Sequence, residues 1–155
     1  MDKGELLKHA ERLGVDPATL APAVDSAAPE RVRSPRPDEA ARGFAVQAAR
    51  IMEENHCTDI SVLDLRGVSP VCDYFVIATG TSERQMRAVA DHIKEKAKSH
   101  GDQPYGVAGY GEASWIILDY VDVVIHLFNE DQRAYYDLET LWGDSPTVSW
   151  TRSGE

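Results

Sequence analysis

The sequence predicts an α/β domain, a mixed β-sheet flanked by helices, and three observations carry that prediction. Apolar stretches of strand length recur at residues 60–65, 74–80, 115–118 and 123–128. Amphipathic helical patterns precede, separate and follow them. The order helix, two strands, helix, three strands, helix sets a strand–helix–strand unit, which needs a parallel crossover, beside a hairpin, which is antiparallel.

The elements follow in order. Leu6, Leu7, Ala10 and Leu13 recur at helical spacing before Gly14, which predicts a short amphipathic helix, marginal by itself. From Pro17 to Pro37 the chain turns to Ala, Pro, Ser and charge, too poor in large apolar groups to offset the entropy of ordering, so it reads as a linker. Residues 1–37 are thus an expected N-terminal extension, 38–146 the folded domain and 147–155 a C-terminal tail. Asp38 is suited to cap a helix that carries Phe44, Ala48, Ile51, Met52 and Asn55 along one face. Two strands follow, apolar on both faces and expected to be buried rather than at an edge. Ser82 with Gln85 forms a capping-box pattern, after which Met86, Val89, Ala90, Ile93 and Ala97 run at helical spacing to Gly101.

A short strand is expected from Tyr105 to Ala108, then a glycine-rich connection, then the hairpin of residues 115–118 and 123–128. Asn129 is placed to cap the last helix, with Glu130 and Asp131 in its first turn, and Gly143 to end it.

Composition narrows the function. The chain has 155 residues, 43% of them hydrophobic, enough to build a core without disulfides or metals. A net charge of -10 argues against binding along a nucleic-acid backbone, which needs clustered Lys and Arg, and favours a basic protein partner. Cys57 and Cys72, the only cysteines, are expected to be buried small hydrophobes in a reducing compartment. No stretch is long and uncharged enough to span a membrane, and the cytoplasm is the expected location.

No catalytic constellation is legible, and neither a cofactor nor a metal is expected. Gly80 to Ser82 passes from strand to helix and offers backbone N–H groups to an anion, but one glycine without a following Lys is better explained by a capped helix. Asp119 and Asp122 lie across a hairpin turn instead of alternating on one strand, so a two-metal site is not built there. His56 and Cys57 are adjacent, a poor geometry for one metal ion. His126 alternates with Val124 and Phe128 and reads as a core histidine satisfied by a hydrogen bond.

Trp115 admits two readings. Periodicity puts it with Ile117 on one strand face and Ile116 with Leu118 on the other. If one face is bare, Trp115 is an interface anchor ringed by Asp119, Tyr120 and Asp122, an acidic rim that selects a basic partner. If helices cover both faces, it is core.

The segments DYFVIATGTSERQMRAVADHI and WIILDYVDVVIHLFNEDQRAYYDLETLWGD, with VLDLRGVS before them, resemble the Iojap or ribosomal silencing factor family from Asp38 to about Asp144. The resemblance implies a nucleotidyltransferase-like fold without transferase activity and a tendency to self-associate. It also implies binding to ribosomal protein L-fourteen of the large subunit, blocking subunit joining and repressing translation. Trp115, Ile117, Leu118, Asp119, Tyr120 and Asp122 are the expected partner-binding residues. The family usually has glycine between the two acidic residues of the turn, where this chain has Val121. Two rival readings stand beside it: a nucleotidyltransferase or nucleotide-binding module using the Gly80–Ser82 turn, and a homodimeric scaffold whose Trp115 surface is self-complementary.

Overall fold

The computed structural model describes residues 38–67, 72–143 and 145–151; the helix and linker expected within residues 1–37 lie outside the described residues. The elements are α1 (Asp38–Glu54), β1 (Thr58–Asp64), β2 (Tyr74–Thr79), α2 (Glu83–Ser99), β3 (Gly106–Ala108), β4 (Trp115–Asp119), β5 (Val123–Phe128), α3 (Glu130–Tyr136) and α4 (Leu138–Leu141). They form the mixed α/β fold expected.

The five strands lie in the order β1-β2-β5-β4-β3. β2 and β5 run parallel, while β1 with β2, β4 with β5, and β3 with β4 run antiparallel. The parallel crossover therefore leads from β2 through α2, β3 and β4 into β5, and the three fully buried strands β2, β5 and β4 lie side by side at the centre. β1, expected inside the sheet, is an edge strand instead. Its first residues are exposed, which the apolar run at residues 60–65 did not reveal because strand order is a non-local property.

Alternation divides the core into two clusters. Ile116, Leu118, Val123, Ile125 and Leu127 join Val76 and Ala78 on the face covered by α1 and α2, against Phe44, Ala48, Met52, Met86, Val89 and Ile93. Trp115, Ile117, Val124 and Phe128 join Phe75 and Ile77 on the opposite face, against Tyr136, Leu138 and Trp142. A helical layer thus lies on each side of the sheet.

The caps at Ser82 and Asn129 work as their sequences predict, while Asp38, expected to cap the first helix, is that helix's first residue. Ser82 Oγ accepts from the Gln85 amide at 3.0 Å, and Asn129 Oδ1 accepts from that of Gln132 at 2.8 Å. The final helix, expected as one piece up to Gly143, breaks at Asp137, which adopts a left-handed conformation with φ 45°. The break turns both short helices so that Tyr136, Leu138 and Trp142 all face the sheet.

Residues 147–150, assigned to a tail from sequence, take part in packing. Thr147 bridges Leu63, Val148 is buried with the α1/α2 cluster, and Trp150 packs against that cluster.

Candidate docking site

The turn joining β4 to β5 is the most constrained feature near the expected partner-binding residues. Asp119 Oδ1 accepts the Val121 amide at 2.8 Å, and the Asp122 amide returns to the Tyr120 carbonyl at 3.0 Å. Two residues apart, that second bond closes a γ-turn around Val121, whose φ is 74°. The Asp122 carbonyl accepts from the amides of Asp73 and Tyr74, tying the turn to the start of β2. Phe44 of α1 meets Tyr120 edge-on at 4.7 Å between ring centroids. The turn has kept the positive φ normally supplied by glycine and forces a β-branched residue into it.

Burial corrects the expectation of an exposed aromatic with an acidic rim. Trp115 and Ile117 are each 1% exposed, Leu118 is fully buried, and Tyr120, Asp119 and Asp122 are 3%, 5% and 2% exposed. The reason is that helices cover both faces: Leu118 and Tyr120 pack in the α1/α2 cluster, and α3 and α4 close over Trp115 and Ile117. The Trp115 ring stacks on Phe128 at 4.6 Å and lies 4.7 Å from Tyr136, the last residue of α3. Its indole N–H donates to His126 Nδ1 at 3.1 Å. His126 is the core histidine expected from its alternation, hydrogen-bonded through Nδ1 alone among the described residues, and burial pushes its pKa down to about 3, so the imidazole is neutral. With Nδ1 accepting, the proton resides on Nε2, which has no hydrogen-bond partner among the described residues.

Two amides of the Gly80–Ser82 turn are bonded within the chain. The Gly80 amide donates to the Phe128 carbonyl at 2.7 Å and the Thr81 amide to Gln85 Oε1 at 3.0 Å. Gln85 Nε2 reaches the Asn55 carbonyl at 2.7 Å. A Cβ on Gly80 would stand 2.2 Å from Met86 Cγ, so the glycine makes room for a core side chain. N–H groups already spent on the protein are not offered to a phosphate, and this favours the capped-helix reading of the motif.

Cys57 and Cys72 are both buried, and desolvation raises the Cys57 thiol to about 11, which keeps it unreactive near neutrality. Among the described residues no three His, Cys, Asp or Glu side chains group to hold a metal ion.

Among the described residues, three of the four exposed large apolar side chains lie one strand away, and the fourth, Tyr135, stands on α3. Tyr105, Val107 and Tyr110 are 54%, 41% and 37% exposed, on and beside β3, the strand that ends the sheet next to β4. The loop after β3 is fastened to α2: Arg87 donates to the carbonyls of Tyr110 and Gly111, and the Tyr110 hydroxyl donates to Asp91 at 3.0 Å. Lys94 lies over the Tyr110 ring, 5.9 Å from its centroid. Gly109, at φ 77°, sits so close to β4 that a Cβ would be 1.9 Å from the Trp115 carbonyl oxygen. Sequence reasoning found the strand from Tyr105 to Ala108 but not its exposure. An edge strand of three residues carries no periodic signal to separate an outward tyrosine from a core one.

The family model described as "Ribosomal silencing factor during starvation" matches residues 37–155. A relative from Bacillus subtilis named "Ribosomal silencing factor RsfS" is 44% identical over 99 residues, covering 64% of this chain and 84% of its own. "Protein Iojap, chloroplastic" from Arabidopsis thaliana is 33% identical over 114 residues, covering 72% of this chain and 46% of its own. A crystal structure of a Bacillus halodurans protein superposes with a TM-score of 0.61 at 36% identity, covering 72% of this chain and 99% of that one.

Proposed function

The chain belongs to the ribosomal silencing factor family, and from that premise we propose that it binds the large ribosomal subunit through ribosomal protein L-fourteen and represses translation by blocking subunit joining. The match across residues 37–155 is the observation that carries this reading, because it spans every described element. The relatives' printed names describe silencing factors and no enzyme activity. Among the described residues no helix is long and apolar enough to cross a membrane. The cytoplasm is the proposed setting.

The docking face we propose is the β3 edge. Tyr105 and Val107 supply exposed apolar area, and Tyr110 is held beside them by its contacts to α2. Trp115, Ile117, Leu118, Asp119, Tyr120 and Asp122, expected to touch the partner, are buried, and in this reading they act only from beneath by holding β4 and its turn in the shape that presents β3. The net charge of -10 favours encounter with a basic ribosomal protein, while apolar burial supplies affinity.

Cosedimentation with purified large subunits tests the reading. Tyr105→Ala combined with Val107→Asp should weaken binding by about thirtyfold or more, the loss expected of a hot spot of about 2 kcal/mol. Since both side chains are exposed, the unfolding midpoint should hardly move. Unchanged subunit binding by the double variant would remove this edge as the anchor, and no binding by the unaltered chain would overturn the ribosomal reading. Among the described residues no strand pairs with the outer side of β3, which also favours a second reading, a homodimer formed by pairing two such edges; sedimentation without ribosomes separates it from subunit binding.

A further inference from the structure

The sheet has two edges, and the chain treats them differently. Beside β1 the segment after α4 runs antiparallel: the Asp64 amide donates to the Pro146 carbonyl, and the Val148 amide donates to the Val62 carbonyl, both at 2.8 Å. Val148 and Trp150, two residues apart, share one face of this extended segment, while Thr147 and Ser149 are exposed. Val148 is 5% exposed within the α1/α2 cluster, to whose margin Ile51, Ile60 and Trp150 also belong. Arg50 Nε closes the contact from α1 by donating to the Trp150 carbonyl at 2.9 Å.

This is the geometry of strand addition, in which main-chain pairing gives affinity and alternate side chains give selectivity. We propose that the β1 edge is a binding site for an extended segment with apolar side chains two positions apart. The chain fills it with its own residues 146–150, and the same segment of a second copy takes their place by exchange. The site fits this occupant, because a second copy's segment would make the same contacts atom for atom. Exchange is favoured by the small set of contacts that holds the segment among the described residues: two backbone hydrogen bonds with β1, one arginine contact, one buried valine and a half-buried tryptophan. When the segment lifts away, the apolar margin beneath it and the free groups at Val62 and Asp64 favour replacement by a like strand. This edge is opposite β3, so the proposal does not rest on the ribosome-docking face.

A fluorescent peptide of residues 144–155 tests it against the full chain and a full-length Val148→Asp variant, whose own segment is released. The variant should bind the wild-type peptide at least about tenfold more tightly than the unaltered chain does, and a peptide carrying Val148→Asp should not bind. A folded variant, checked by circular dichroism, that fails to bind the wild-type peptide overturns the proposal. If the variant does not fold, amide exchange of the unaltered chain decides. Exchange at Asp64 and Val148 at least about tenfold faster than at the amides of β2 and β5 supports a detachable segment, whereas exchange at the common global rate overturns it.

Discussion

Trp115 donates its indole N–H to His126 Nδ1 at 3.1 Å, and these two side chains join neighbouring strands inside the aromatic cluster that α3 and α4 close. The bond makes Trp115 a structural residue: its only polar atom is spent on the core, and Phe128 and Tyr136 occupy the space around its ring.

Trp115→Ala is accordingly expected to cost the fold about 3–5 kcal/mol, as emptying a core aromatic site does. Trp115→Phe should cost about 1–3 kcal/mol, because it leaves His126 Nδ1 buried without its donor. Denaturant unfolding measures both. A loss under about 1 kcal/mol for the alanine variant would restore Trp115 as a surface anchor.

The neutral imidazole predicts an acid limb to stability. Burial lowers the His126 pKa from 6.5 to about 3, so the unfolded chain takes up a proton that the folded chain refuses. The contribution is complete above 6.5 and is lost as pH falls from there toward 3, amounting to about 2 kcal/mol lost by pH 5. His126→Gln keeps an acceptor for the indole and removes the titration, so its stability should fall less between pH 7 and pH 5. Asp64, held below its ordinary value of 3.8 by Arg66, acts only at lower pH. Equal losses in the two proteins would place the acid limb elsewhere.

Val121 offers a reversal of the usual order of residues. In extended or helical backbone, alanine is more stable than glycine by about 0.5–1 kcal/mol. At φ 74° the preference inverts, and Val121→Gly should exceed Val121→Ala in stability by about 1 kcal/mol. Comparing these two cancels most of the valine's lost burial. An alanine variant as stable as the glycine one would mean the turn relaxes out of positive φ.

Gly109→Ala should cost about 2–4 kcal/mol, combining left-handed strain at φ 77° with overlap onto the Trp115 carbonyl. Gly111→Ala is the matched control: nothing lies within 4 Å of its added Cβ, and its effect should stay within about 0.5 kcal/mol. Thermal unfolding of the pair checks whether the loop is pinned at Gly109 alone.

What the sequence determined by itself is local. The helix starting after Ser82, the Asn129 cap, the Trp115–Phe128 hairpin and the placing of His126 in the core all follow from spacings of two to four residues, where one side chain decides the conformation of its neighbours. The family resemblance was legible for the same reason, since it resides in unbroken segments. Tertiary structure decided which strands became edges and which faces were covered. Trp115 and Tyr105 are both aromatic residues at strand beginnings, yet one is 1% and the other 54% exposed, because the first lies on a strand flanked on both sides and the second precedes the strand that ends the sheet. The break at Asp137 and the return of residues 146–150 to β1 have the same origin. Both are settled by surfaces brought together from distant parts of the chain, and burial of those surfaces outweighs the weak local preferences that a sequence displays.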